Sequence, residues 1–219
     1  MKKFIWSLLF SLFFALVFAT AAFAEVAPES DFEFDASTNT ITKYKGEGGD
    51  VEIPATIGGI PVYVIGNEAF ASTPTHYYDY FGIYPDKNPS GPTSVTIPDE
   101  VSSINDGAFR GNTALKTIKM PKNLKTLGSG VFTYCTSLPS IKIDGDIDYI
   151  GGWLFSSCYS LKFVAISGSV GKFYDEGMFF DCTSLETVTL PQGVTTISDK
   201  LFSNCYQLNT ITLPDSVVS

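Results

Sequence analysis

Four cysteines, one histidine and a short run of aspartates are the side chains of this 219-residue chain best suited to chemistry. Cys135, Cys158, Cys182 and Cys205 recur at steps of 23, 24 and 23 residues. An even count of thiols suits a disulfide framework, and converging thiolates suit zinc. A linear ladder does not converge, and stacked parallel side chains leave their Cβ atoms about 4.8 Å apart, beyond the ~3.5–4.5 Å of a disulfide. The spacing therefore predicts free, buried thiols that hydrogen-bond the turning backbone. Asn112 stands one step before Cys135 and offers the same bond. Asp144, Asp146 and Asp148 alternate like the first half of a calcium loop, but the twelfth position, where Glu is needed, is Phe155. Ile143, Ile147 and Ile150 interleave with them, so the aspartates read as a solvated edge and no metal is expected. His76 is the single histidine, and a triad or a two-histidine metal site would need partners that nothing in the sequence identifies. No nucleophile–base pair or paired carboxylates emerge, so the expectation is a protein without catalytic residues or cofactors.

Two groups of residues suit binding instead. His76 sits beside Tyr77, Tyr78, Tyr80, Phe81 and Tyr84, inside a stretch at 71–92 rich in Pro, Tyr and Gly. Such rings make binding hot spots, because they bury much area with little loss of entropy; equally, they could fold back over neighbouring coils. The second group is a pair of ladders with a common step. Ser94, Thr117, Ser140, Phe163, Thr187 and Thr210 form one; Thr96, Lys119, Lys142, Ala165, Thr189 and Thr212 form the other. Paired Thr-x-Thr strands can order water as in ice-binding solenoids, but Lys119, Lys142 and Phe163 interrupt the array. A mixed Thr, Lys and aromatic face suits a protein or glycan ligand, with Phe163 as its anchor.

The elements that must position these residues follow from the same step. Leu115, Leu138, Leu161, Leu185 and Leu208 are spaced by 23, 23, 24 and 23 residues. Ile118, Ile141, Val164, Val188 and Ile211 keep the spacing, as do Met120, Ile143, Ile166, Leu190 and Leu213 and the ladder Phe109, Phe132, Phe155, Phe179 and Phe202. A period in the twenties marks a solenoid whose coils bury their apolar sides against one another. Thr117-Ile118-Lys119-Met120 reads as a short strand with Ile118 and Met120 inward, stopped by Pro121. Phe32 and Phe34, a turn at Thr38-Asn39 and a return through Ile41–Tyr44 predict an N-terminal hairpin that caps the first coil. Phe70 to Phe109 spans 39 residues, one period plus a surplus lying within 71–92. About six coils are expected, the last incomplete, and its open end offers a surface for self-association.

Lys2, Lys3, the apolar run from Phe4 to Ala19 and Ala22-Phe23-Ala24 predict a cleaved signal peptide over residues 1–24. A cap over 25–50 and a solenoid over 51–219 then make up an exported protein. Loss of Lys2 and Lys3 takes the net charge from −9 to −11. Such a surface repels phosphate backbones and anionic lipid, which excludes nucleic acid as a natural partner. No later segment is apolar for long enough to span a membrane, so no integral membrane segment is expected after cleavage.

The pattern Leu-x-x-Ile-x-Ile-Pro-x-x-Val-x-x-Ile followed by Ala-Phe-x-x-Cys resembles the BspA-like branch of the leucine-rich repeats. Leu185–Cys205 carries most of it, with Leu201-Phe202 in place of Ala-Phe, and Ile53-Pro54 through Ala69-Phe70 is similar to that family's first repeat. The resemblance runs over residues 31–219 apart from the insertion. It implies a leucine-rich-repeat right-handed solenoid of mostly short β-strands with irregular or short helical turns. It also implies a secreted or cell-surface location and a non-catalytic role in adhesion or protein–protein interaction, with an extracellular protein or glycan as ligand. A structural or spacer fragment of a larger surface repeat protein is the alternative. Asp144 and Ser167 depart from the pattern by replacing prolines, and Phe179 comes one place late, which predicts a one-residue bulge in that coil.

Overall fold

The computed structural model describes residues 25–72 and 91–218. The expected signal peptide at 1–24 lies outside these residues, as do His76, Tyr77, Tyr78, Tyr80, Phe81 and Tyr84. After a single 3-10 turn at Glu29–Asp31, every element is a short strand.

Phe32 and Ile41, both buried, hold the opening hairpin of β1 (Phe32–Asp35) and β2 (Thr40–Tyr44) against the core. The first coil contains β3 (Gly49–Glu52), β4 (Thr56–Ile57), β5 (Ile60–Pro61) and β6 (Val64–Ile65). Gly58 and Gly59 turn β4 into β5 with φ of 58° and 77°, the left-handed pair that a two-residue hairpin demands. Each of the next four coils contributes two strands: β7 (Pro92–Thr96) and β8 (Ser103–Ile104); β9 (Thr117–Lys119) and β10 (Thr126–Leu127); β11 (Ser140–Ile143) and β12 (Ile147–Ile150); β13 (Phe163–Ile166) and β14 (Val170–Phe173). β15 (Thr187–Thr189) and β16 (Thr210–Thr212) complete the set.

The strands gather on two sides of the stack. One sheet runs β1-β2-β6-β8-β10-β12-β14 without interruption. The other side is divided into β3-β7-β9 and β11-β13-β15-β16. Apart from the two hairpins the pairings are parallel, as successive coils of one winding require. At the N-terminal end Val26 bridges Glu52, so β3 is partly covered.

The phenylalanine ladder fills the space between. Phe109, Phe132, Phe155 and Phe179 are fully buried. Their ring centroids follow at 5.8, 5.6 and 5.6 Å, with Phe202 5.4 Å further on and planes within 10° of one another. Phe70 sits 4.9 Å from Phe109, and Val51 pairs with Val95, so the coils on either side of the insertion stack directly. The bulge is present too. The Phe132 N–H donates to the Leu154 carbonyl, whereas the Phe155 N–H donates to that of Met178, one residue further along.

The cysteine ladder lies beside the rings. All four thiols are free, and Cys135, Cys158, Cys182 and Cys205 donate through Sγ to the carbonyls of Phe109, Phe132, Phe155 and Phe179 at 3.0–3.2 Å. Asn112 does the same with its amide, to Phe70 at 2.9 Å and Phe109 at 2.7 Å. A buried carbonyl at each turn is thereby satisfied by the coil above it.

Two turns depart from their neighbours, at Glu68 (φ 53°) and at Trp153. Gly107, Gly130 and Gly177 occupy equivalent places with φ of 57–62°, and the same place in the coil between them holds Trp153, at φ 55°. A bulky residue in the left-handed region is strained. Its indole crosses Gly177 so closely that a methyl group there would meet the ring at 2.4 Å.

Candidate binding surface

The divided side carries the two ladders read from the sequence. Ser94 pairs with Thr117, and Thr96 with Lys119. Ser140, Phe163, Thr187 and Thr210 are in register, as are Lys142, Ala165, Thr189 and Thr212. Within each group the alternation of the strand sets these side chains outward and Val95, Val164 and Val188 inward, where they are buried.

The register stops between β9 and β11. These strands are neighbours that exchange no ladder bond. The physical reason is one residue. Lys116 donates its N–H to Thr93, Lys162 to Pro139, Glu186 to Lys162 and Asn209 to Glu186, each bond tying a coil to the one before it. The equivalent residue in the intervening coil is Pro139, which has no N–H to give to Lys116. The seam is confined to this side, because β10 and β12 of the same two coils pair normally on the other.

Three consequences follow. First, backbone groups lack partners along the seam. The Lys119 carbonyl accepts from Ile97 and so faces β7, which turns the N–H and C=O of Ile118 toward β11. Pro139 and Ile143 direct their carbonyls at the coil beyond, which turns Ser140 and Lys142 back toward β9. Second, Ile118 and Met120 are only half-buried, whereas their counterparts Ile141, Ile143, Val164 and Ile166 are buried. Third, an open depression of about 670 Å³ forms across the seam, with Ile118, Met120 and Ile141 in its floor.

Lys119, Lys142 and Phe163, predicted as ligand-binding residues, all line this depression, and Phe163 is 49% exposed. Lys116 and Lys122 join them, so four of the chain's fourteen basic residues border it; one acid, Asp144, does. Lys142 lies 2.7 Å from Asp144, and its hydrogen bond, with one from Ser167, holds the Asp144 carboxyl below the ordinary carboxylate range. Lys122 lies 2.7 Å from Asp99; the shared hydrogen bond lowers the Asp99 carboxyl and raises the lysine. Lys116 and Lys119 make no ion pair among the described residues.

The aspartate run does not converge. Asp144 bonds Ser167, and Asp146 accepts from the N–H and hydroxyl of Ser169 at 2.9 and 2.7 Å, so both tie one coil to the next. Among the described residues no three potential metal ligands come together, and no helix is long and apolar enough to cross a membrane.

Sequence reasoning found the face and missed the seam. The available signal was Pro139, a proline where the other coils carry Lys116, Lys162, Glu186 and Asn209. Lys116 and Lys122 escaped notice because they flank the strand rather than alternate within it.

The BspA type leucine rich repeat region matches this chain in six copies, over residues 88–209 and 172–219, which together exceed half its length. The crystal structure of a leucine-rich-repeat protein from T. pallidum is similar, with a TM-score of 0.71 and 29% identity over 87% of this chain and 84% of that one. That of a leucine-rich-repeat protein from Eubacterium ventriosum gives a TM-score of 0.61 and 25% identity over 85% of this chain; the match spans 47% of that longer protein. No curated protein matches. None of these similarities is to a catalytic family. With its 23-residue coils, phenylalanine ladder and two-sided stack of short strands, the chain belongs to the BspA-type leucine-rich-repeat family.

Proposed function

We propose that this chain is an exported, non-catalytic binding module that holds an extracellular protein or glycan at the cell surface, on the divided strand face. The observation that carries the reading is the meeting of Lys119, Lys142 and exposed Phe163 around one depression. An aromatic ring half out of water, framed by cations and hydroxyls, is the composition of an interface anchor with a polar rim. Family membership supports a protein-binding repeat module. The apolar leader at the N-terminus supports export. His76 and the aromatic residues beside it are proposed as a second contact region.

The test is a screen of the chain against arrays of matrix proteins and glycans, repeated with Phe163→Ala. A ligand whose binding weakens about tenfold or more on loss of the ring locates the site. A ligand indifferent to Phe163, Lys119 and Lys142 moves the site elsewhere.

Assembly with further copies or repeats is a second reading, favoured by the far end of the stack. There Ile211 and Leu213 are 41% and 48% exposed, and β16 pairs only with β15 among the described residues. Concentration-dependent sedimentation abolished by Ile211→Lys supports it.

A further inference from the structure

We infer that the depression over the seam between β9 and β11 receives an extended acidic segment of a partner protein, which lies along it and hydrogen-bonds its main chain to groups that Pro139 leaves without ladder partners. This rests on the proposed binding role and names the ligand class: a peptide strand carrying carboxylates.

The first support is the backbone. Ile118 on one side and Ser140 and Lys142 on the other have N–H and C=O groups directed into the seam without ladder partners. Unpaired strand edges are templates for another chain, and added strands draw affinity from main-chain bonds. The hydroxyls of a glycan also donate and accept, but not at the two-residue repeat of a β-strand.

The second support is the floor. Ile118 and Met120 sit half-buried at positions whose counterparts in neighbouring coils are buried. An extended segment directs alternate side chains to opposite faces, so every second residue would reach these apolar groups.

The third support is charge. The chain carries a net −9, yet Lys116, Lys119, Lys122 and Lys142 surround the depression against Asp144. Lys122 and Lys142 are paired with Asp99 and Asp144; Lys116 and Lys119 have no such partner among the described residues. A basic groove attracts an acidic segment, and the net negative charge of the whole chain disfavours close approach of a second copy. The partner is thus an Asp- or Glu-rich strand with alternating apolar residues.

The test uses the whole chain and a fluorescein-labelled decapeptide of alternating Asp and Val, read by fluorescence anisotropy. Two companion peptides replace Asp by Lys, or carry N-methyl groups on alternate amides to remove main-chain donors. Both should bind about tenfold more weakly or worse. Pro139→Asn supplies the N–H that Asn209 supplies two coils beyond Lys162, and leaves every lysine in place. It should close the seam, slow hydrogen exchange at the Ile118 and Lys142 amides, and weaken the Asp–Val peptide by about tenfold or more. Lys119→Gln with Lys142→Gln should weaken binding and flatten its salt dependence.

The inference is overturned if the Asp–Val peptide does not bind. It is also overturned if the N-methylated peptide binds equally well, or if a seam-closed Pro139→Asn chain keeps full affinity. If the arrays still yield a ligand dependent on Phe163, the inference alone falls. If they do not, the proposed function falls with it.

Discussion

Replacing Phe155 by alanine tests whether the aromatic ladder is the spine of this molecule. The ring is fully buried and stacked at 5.6 Å on Phe132 and at 5.6 Å on Phe179, with interplanar angles of 6° and 9°. Truncating a buried Phe costs about 3–5 kcal/mol, including the cavity that remains. Two stacked pairs, each contributing ~0.5–1.5 kcal/mol beyond area burial, place Phe155 at the upper end of that range. Phe202 supplies the internal comparison. It is half-buried with one ring neighbour, at 5.4 Å, so its truncation should cost about half as much, ~1.5–2.5 kcal/mol. Urea unfolding followed by circular dichroism measures both. In a quasi-one-dimensional stack, damage at a middle coil also weakens the coupling between the two halves, so Phe155→Ala should lower the m-value as well as the midpoint. A loss within ~0.5 kcal/mol, as at surface sites, would refute the spine. So would a larger loss at Phe202 than at Phe155.

Two further expectations concern the ladder of turn-satisfying side chains. Burial pushes the Cys205 thiol up from 9.0 to about 11 and raises Cys135, Cys158 and Cys182 further, because a thiolate there would lose its hydration. Above pH 9 the unfolded thiols ionise while the folded ones stay protonated. Stability is therefore retained in full below pH 9 and falls as pH rises, the share of Cys205 being exhausted near pH 11. Urea midpoints at pH 8, 9 and 10 should decrease in that order, and a rise would contradict the burial. Asn112→Ala should cost about 1–3 kcal/mol by leaving the Phe70 carbonyl unmet, the Phe109 carbonyl keeping its bond from Cys135, whereas Asn112→Cys should cost under about 1 kcal/mol. The cysteine copies the single bond of the other four coils and removes Oδ1, which is buried without a hydrogen-bond partner among the described residues. Equal losses in thermal melts would show that the hydrogen bond is not what this position contributes.

The strand face was legible because a repeat supplies its own alignment. Ser140, Phe163 and Thr187 occupy one register column, as the 23- and 24-residue steps require. The bulge was legible for the same reason, as an extra residue before Phe179. The seam was harder, since its cause acts on a neighbour: Pro139 sits comfortably in its own coil and withholds a donor from Lys116. Trp153 was missed because left-handed backbone is expected at glycine, and only comparison with Gly107, Gly130 and Gly177 reveals the place it takes. The contact proposed for the residues around His76 depends on a partner, which a single chain's pattern does not encode.

Hydrogen-bonded strands join consecutive coils along one flank of the cylinder from β1 through β14, and along the other they skip a rung at Pro139. Stiffness in such a rod is set by its weakest junction. Bending therefore concentrates at that rung, with the uninterrupted flank as the hinge and the lysine-lined side as the jaw. A load drawn along the rod would open the jaw before it separated any other pair of coils. The junction that a single missing amide proton creates would be the first to respond to force.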